Sequence, residues 1–252
     1  MDLRARAETL RELHRPGEPL VLANAWDAAT AKSVEKAGFR AVATTSAGVA
    51  LALGYEDHQV TPPDEMFAAV ARIAAAVDMP VTADLEAGYG LAPSELVGRM
   101  LDAGVVGLNF EDTDYAGGDG LVDAQAQAAR IAELREAGGA AGVDIVINAR
   151  TDAYVRHLEN PLEISLERGR LYVEAGADCI YPILAKDEAE LERLASELDA
   201  PLNVLYVPGA PEISRLAELG VARISVGGGL AMAMAHSFER RLESLRDGRP
   251  YW

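Results

Sequence analysis

A single cysteine, Cys179, stands in a chain of 252 residues, so an internal disulfide and a cysteine-built metal cluster are both excluded. It lies in the apolar run Cys-Ile-Tyr-Pro-Ile-Leu and is expected to be a buried strand residue. Long apolar runs are missing as well. Half of the residues are hydrophobic, yet no stretch approaches the roughly 18 residues of a membrane span. The opening MDLRARAETLRELHRPG reads as a charged amphipathic helix without a signal-peptide core, and the expectation is a soluble, cytoplasmic protein. Positive charge is scarce: 23 Lys and Arg face 40 Asp and Glu, a net charge of −17, which opposes nucleic acid and anionic membranes as partners. Of the four histidines, His14, His157 and His236 read as surface or loop residues, and His58 does so less clearly because it adjoins Asp57. Neither histidine-based nor serine-based hydrolysis is favoured.

What the chain does contain is one unit, repeated. LVLANAWD (20–27) reads as a buried strand and 28–38 as a helix ending on Gly38, the residue best suited to a left-handed cap. Strand 41–47 follows, then a long loop over Gly48 to Val60, then helix 64–77 introduced by Thr61 and two prolines. Further pairs are strand 81–88 with helix 92–104, strand 107–113 with helix 123–138, and strand 145–153 with helix 161–176. The last three are 179–184 with 186–198, 201–207 with 210–220, and 222–229 with 230–248. Short apolar runs alternating with longer runs of period 3.6 imply a parallel sheet with crossover helices. Eight units predict an α/β fold, a (β/α)8 TIM-type barrel, as a single domain over 1–252 with a short N-terminal and a C-terminal helix.

A barrel of this kind places its chemistry at the carboxyl ends of its strands. Those ends are acidic here. In VTADLEAGYG (81–90), Asp84 and Glu86 are two positions apart, and the period of a strand aims both to one side. Gly88 and Gly90 then break the strand. Glu111-Asp112 ends the next strand. Carboxylates 84, 86 and 111 are more negative charge than a partly buried site holds without a cation or protons. A divalent cation follows, and all-oxygen ligation favours Mg²⁺, with Mn²⁺ as the alternative, over zinc. Arg150, in INARTDA, offers a planar fork for a substrate carboxylate or phosphonate, or an ion pair with Glu111 or Asp152, or both.

TADLEAGYG, VVGLNFEDT and INARTDA, in this order and at these spacings, resemble the isocitrate lyase/phosphoenolpyruvate mutase superfamily, from about Val21 to Gly229. The resemblance implies that Asp84, Glu86 and Glu111 hold Mg²⁺ directly or through water and that Arg150 binds substrate. By the same resemblance Thr45, Ser46 and Ala47 would hold the carboxylate of a 2-oxo acid, and Asp57 would be the gating-loop residue that contacts the reacting group. Catalysis would then rest on Asp57 and Arg150.

Two departures matter. Glu86 stands where the family has Asp, and the loop after the fourth strand reads DTDYAGGDG instead of the K-K-C-G-H of isocitrate and methylisocitrate lyases. Without that cysteine the isocitrate-lyase reaction loses its acid/base, and the loop does not match phosphoenolpyruvate mutase either. What remains is a small 2-oxo acid whose C–C or C–P bond breaks to a metal-stabilised enolate, as in oxaloacetate decarboxylases and hydrolases of oxaloacetate or phosphonopyruvate. Competing readings are a non-catalytic metabolite-binding barrel, a mutase-like enzyme, and a barrel that binds phosphate at Gly227 to Gly229. In the last helix, Met232, Met234, Phe238 and Leu242, with Tyr251-Trp252, call for cover by the barrel or by a neighbour, and a homo-oligomer, dimer or tetramer, is expected.

Overall fold

The structure, a computed structural model, describes residues 2–118 and 120–252. Met1 of the opening helix and Asp119 of the DTDYAGGDG loop lie outside the described residues. The chain runs α1 (Leu3–Glu12), β1 (Leu20–Leu22), β2 (Asn24–Ala25), α2 (Ala28–Lys36), β3 (Val42–Thr44), α3 (Ser46–Leu53), α4 (Pro63–Ala74), β4 (Val81–Asp84) and α5 (Pro93–Asp102). It continues with β5 (Gly107–Glu111), α6 (Ala124–Ala140), β6 (Val146–Thr151), α7 (Pro161–Glu174) and β7 (Cys179–Pro182). The remainder is α8 (Glu188–Glu197), β8 (Asn203–Leu205), α9 (Ile213–Glu218), β9 (Arg223–Ser225) and α10 (Gly229–Arg246).

All strand pairs are parallel, in the orders β2-β3-β4-β5-β6-β7 and β1-β9-β8. A bridge between Ile180 and Leu202 joins β7 to the start of β8. On the other side β1 and β2 are two halves of one stave, the first paired with β9 and the second with β3. Asn24 spans that seam with its side chain: Oδ1 accepts from the Val226 amide at 3.0 Å, and Nδ2 donates to the Thr44 carbonyl at 2.7 Å. The sheet therefore closes as the eight-stave TIM-type barrel expected.

Local rules place the helices. Asp27 and Thr30 form a reciprocal capping box at α2, and Gly38 takes φ +84° just past its end. Pro63, Pro93 and Pro161 open α4, α5 and α7, where the missing N–H costs nothing. The floor of the barrel is closed by α1, whose Ala7 and Leu10 are buried. Leu10 is why residue 107 is glycine: a Cβ there would stand 2.8 Å from Leu10 Cδ2.

Two expectations change and two either/or readings narrow. The loop Gly48 to Val60 is helical in its first part, since α3 runs to Leu53, capped by Thr45 and ended by Gly54 at φ +88°. Its run GVALAL is apolar on nearly every side, so no amphipathic period marked it. Strand 81–88 stops at Asp84, and Glu86 sits in a turn with φ +51°. Glu86 thus reaches the site by a turn and not by strand alternation. His14 is buried beneath the barrel, with Nδ1 2.8 Å from the Leu10 carbonyl, and is not a surface residue. Finally, the barrel does not cover α10: Met232, Met234, Phe238 and Leu242 are exposed, and Ala231 is its buried residue. Cys179 is buried in β7 as expected. Among the described residues no helix is long and apolar enough to cross a membrane.

Candidate active site

The carboxyl ends of β3, β4, β5 and β6 gather the acidic residues. Asp84 is the last residue of β4, and its amide donates to the Thr44 hydroxyl oxygen at 3.0 Å. Its Oδ2 accepts from the Ser46 amide at 3.2 Å and the Ser46 hydroxyl at 2.8 Å, while its Oδ1 is buried with no hydrogen-bond partner. Ser46 can reach because α3 begins there, with Thr45 Oγ1 accepting from the Gly48 amide. Thr45 and Ser46 are buried, and Ala47 follows in the first turn.

Glu86 is 3 % exposed. The Tyr89 hydroxyl donates to its Oε1 at 2.7 Å, and the Gln59 amide donates to its Oε2 at 2.6 Å. Burial pushes its carboxyl up to about 7, and the charges of Asp84 and Asp57 push in the same direction, against those two hydrogen bonds. Asp57 itself keeps a buried Oδ1 without a partner. It belongs to segment 57–59, in which His58 and Gln59 both lie in the left-handed region, φ +71° and +59°. Such a backbone costs roughly 1–2 kcal/mol per residue and persists only where contacts hold it.

Glu111 ends β5, register-paired with Arg150 of β6. Arg150 Nη1 lies 2.5 Å from its Oε2, and the Tyr115 hydroxyl donates to its Oε1 at 2.5 Å. Burial raises this carboxyl above its ordinary range, opposed by the Arg150 charge. The rest of the guanidinium is clamped on Asp152, Nε to Oδ1 at 2.5 Å and Nη2 to Oδ2 at 2.9 Å. Arg150 thus takes both ion pairs that its sequence position allowed. Asp112 is drawn away from the mouth into an outer network with Arg168 at 3.0 Å and the Tyr172 hydroxyl at 2.8 Å.

Asp84, Glu86 and Glu111 thus meet Ser46, Arg150 and Asp57 at this mouth, Thr45 and Ala47 flank Ser46, and Asp112 turns away from it. Among the described residues, no three Asp, Glu, His or Cys side chains stand close enough to close around an ion as they are placed. Tyr89, Tyr115 and Gln59 carry no sequence signal of their own: Tyr89 sits between the two glycines of GYG, and Tyr115 in a loop without the cysteine and lysine of the lyases.

A TIM-type barrel with acidic strand ends defines the class, and comparison with known proteins narrows it. Residues 10–246 match the family described as phosphoenolpyruvate phosphomutase, and the chain belongs to that family. Rv1998c of Mycobacterium tuberculosis (strain ATCC 25618 / H37Rv), an uncharacterized protein, is 34% identical over 220 residues, 87% of this chain and 81% of the relative. A 2-methylisocitrate lyase of Halalkalibacterium halodurans is 26% identical over 235 residues, 90% of this chain and 73% of that protein. A solved structure from Burkholderia cenocepacia J2315 superposes with TM-score 0.89 at 38% identity, covering 94% of this chain and 99% of its own. Oxaloacetate acetylhydrolase in complex with the product oxalate superposes with TM-score 0.84 at 25% identity, covering 98% of this chain and 88% of that one. The relatives whose reaction is known are thus lyases, mutases and hydrolases of one superfamily of Mg²⁺-dependent enzymes that break C–C or C–P bonds.

Proposed function

We propose that this chain is a Mg²⁺-dependent lyase or hydrolase that breaks a C–C or C–P bond of a small 2-oxo acid, of the oxaloacetate or phosphonopyruvate type. The observation that carries the reading is a pair of buried carboxylate oxygens without partners, Asp84 Oδ1 and Asp57 Oδ1, whose residues both raise the carboxyl of Glu86. An oxygen-only, negatively charged and partly unsatisfied set fits a hard divalent cation, Mg²⁺ or in its place Mn²⁺. Asp84 would hold it most directly, with Glu86 and Glu111, both already hydrogen-bonded, acting through water. When bound, Mg²⁺ would take up the charge that develops on the keto oxygen as the bond breaks.

The chain's own residues do the rest. The start of α3 presents Thr45, Ser46 and Ala47 to a substrate carboxylate, at the end of a helix where backbone N–H groups favour an anion. Arg150, fixed in orientation by Asp152 and Glu111, keeps a permanent positive charge against a second anionic group of the substrate. Asp57 stands on the segment that covers the mouth and faces the group that leaves. Closure of that segment excludes water from the reacting carbon. The unit of action is a single barrel domain. The exposed apolar face of α10, beside a groove of about 580 Å³ lined by Trp26, Val34, Phe39, Leu230 and Met234, supports a homo-oligomer.

Isothermal titration with Mg²⁺ and oxalate tests the reading, because oxalate has the shape and charge of a pyruvate enolate. Oxalate should bind only when Mg²⁺ is present, and one of oxaloacetate or phosphonopyruvate should turn over. Binding of oxalate without turnover of either would favour the non-catalytic barrel, and no Mg²⁺-dependent binding would remove the enolate chemistry altogether.

A further inference from the structure

The two carboxylates Glu86 and Glu111 are served in the same way by two consecutive loops. Tyr89, three residues after Glu86, donates its hydroxyl to Glu86 Oε1 at 2.7 Å. Tyr115, four residues after Glu111, donates its hydroxyl to Glu111 Oε1 at 2.5 Å. Each tyrosine also meets the covering segment. The Tyr89 amide donates to Gln59 Oε1 at 2.5 Å, and the Gln59 amide returns a hydrogen bond to Glu86 Oε2 at 2.6 Å. The Tyr115 hydroxyl lies 3.5 Å from His58 Nδ1, and the two rings stand 6.1 Å apart, centroid to centroid. Gln59, Tyr89 and Tyr115 all line one cavity of about 540 Å³.

Resting on the function proposed above, the geometry points to Tyr89 and Tyr115 as a clasp: positioning residues that hold Glu86 and Glu111 and dock segment 57–59 over the mouth. Three features require a clasp and not two incidental hydrogen bonds. The docked residues His58 and Gln59 have left-handed backbones, and so do Glu86 and Tyr89 on the receiving turn, at φ +51° and +56°. All four conformations are uphill for residues other than glycine, so contacts between the two segments must sustain them. Next, the carboxylate that receives the segment is the one beside which Asp57 stands, so docking and the placement of Asp57 are one event. Last, Tyr115 comes from the loop in which this chain departs from the lyase sequence, which gives that departure a use: it supplies a hydroxyl that orients an acidic residue and touches the cover.

The experiment is hydrogen exchange of residues 55–61, read with turnover, in the wild-type protein, Tyr89→Phe, Tyr115→Phe and the double variant, each with and without Mg²⁺ and oxalate. The Gln59 amide donates to Glu86, so wild type should protect this segment. Each Phe variant keeps its ring and fold and should exchange there at least threefold faster, the double variant at least tenfold. On the 2-oxo acid that turns over, kcat should fall tenfold or more in the double variant while the oxalate dissociation constant rises less than threefold. Exchange and kcat within twofold of wild type in the double variant would overturn the clasp. Unchanged exchange with a large rise in the oxalate dissociation constant would also overturn it, by making the tyrosines supports of the binding site alone. Should no 2-oxo acid turn over, the exchange measurement still decides the clasp, and the failure falls on the proposed function.

Discussion

The two ends of the barrel interior bury opposite charges and treat them differently. At the floor, Arg223 of β9 is 1 % exposed and has no carboxylate within ion-pair distance among the described residues. It donates to Asn109 Oδ1 at 3.0 Å and lies 3.3 Å from His14 Nε2, while Asn148 Nδ2 donates to the same Asn109 oxygen at 2.7 Å. The orphaned atoms nearby are of both kinds, donors such as Arg223 Nε and Asn203 Nδ2 and acceptors such as Asn148 Oδ1 and Asn203 Oδ1. At the mouth the charged orphans among the described residues include Asp84 Oδ1 and Asp57 Oδ1, acceptors that carry negative charge. Neutral dipoles of mixed polarity can satisfy the first set; the second asks for a cation. The floor is a supporting network and the mouth is a site, and the sign of what is unsatisfied tells them apart.

The largest effect that would sharpen this contrast is Asp84→Ala. Mg²⁺-dependent turnover should fall by about a thousandfold or more, roughly 4 kcal/mol of barrier, while the midpoint of thermal unfolding stays level or rises as crowding of carboxylates is relieved. Turnover with unchanged Mg²⁺ dependence would take Asp84 out of the cation site. Arg223→Ala should do the reverse. Losing a buried side chain together with the hydrogen bonds to Asn109 and His14 should cost about 3 kcal/mol or more in urea unfolding. A loss under about 1 kcal/mol would mean that the floor is not the supporting network its contacts suggest.

A smaller effect separates the two ends by pH. Glu86 is raised in the fold to about 7 from 4.5, so its protonated form is the one the fold prefers. That stability is fully present below pH 4.5 and is lost as pH rises through 7. His14 is lowered to about 3 from 6.5, by burial first and by Arg223 second. Its contribution is complete above pH 6.5 and fades as pH falls toward 3. In metal-free protein, Glu86→Gln should therefore gain on wild type between pH 4.5 and 7.5, by at most about 3 kcal/mol, and Mg²⁺ should shrink the gap. Thermal unfolding over that range checks it: parallel profiles for the two proteins would show that Glu86 is not the strained group.

Much was legible from residues alone. Eight alternations of short apolar runs with longer helical periods gave the barrel, because burial on both faces of a parallel sheet demands uninterrupted apolar strands. The barrel in turn made strand ends such as Asp84, Glu111 and Arg150 candidates, and the structure brings all three to the mouth. Hydrophobic period reports which face of an element is buried, and so it locates elements and their ends.

Period says nothing about residues whose place depends on another segment. Strand alternation is not what brings Glu86 to the mouth; a left-handed turn and the Gln59 amide put it there. Helix α3 escapes the period because its sequence, SAGVALAL, is apolar on nearly every side, including the exposed Leu51, and so has no polar face to mark it. His14 and Arg223 lie 209 positions apart in the chain, yet they meet inside the barrel. Tyr115 and His58 meet across 57 positions, on two loops. Composition and local pattern determined the barrel, its acidic rim and the family motifs. The tertiary structure alone decided which oxygens stay unpaired and which tyrosines hold the rest, since hydrogen-bond satisfaction depends on chain segments that the fold, not their sequence neighbourhood, brings together.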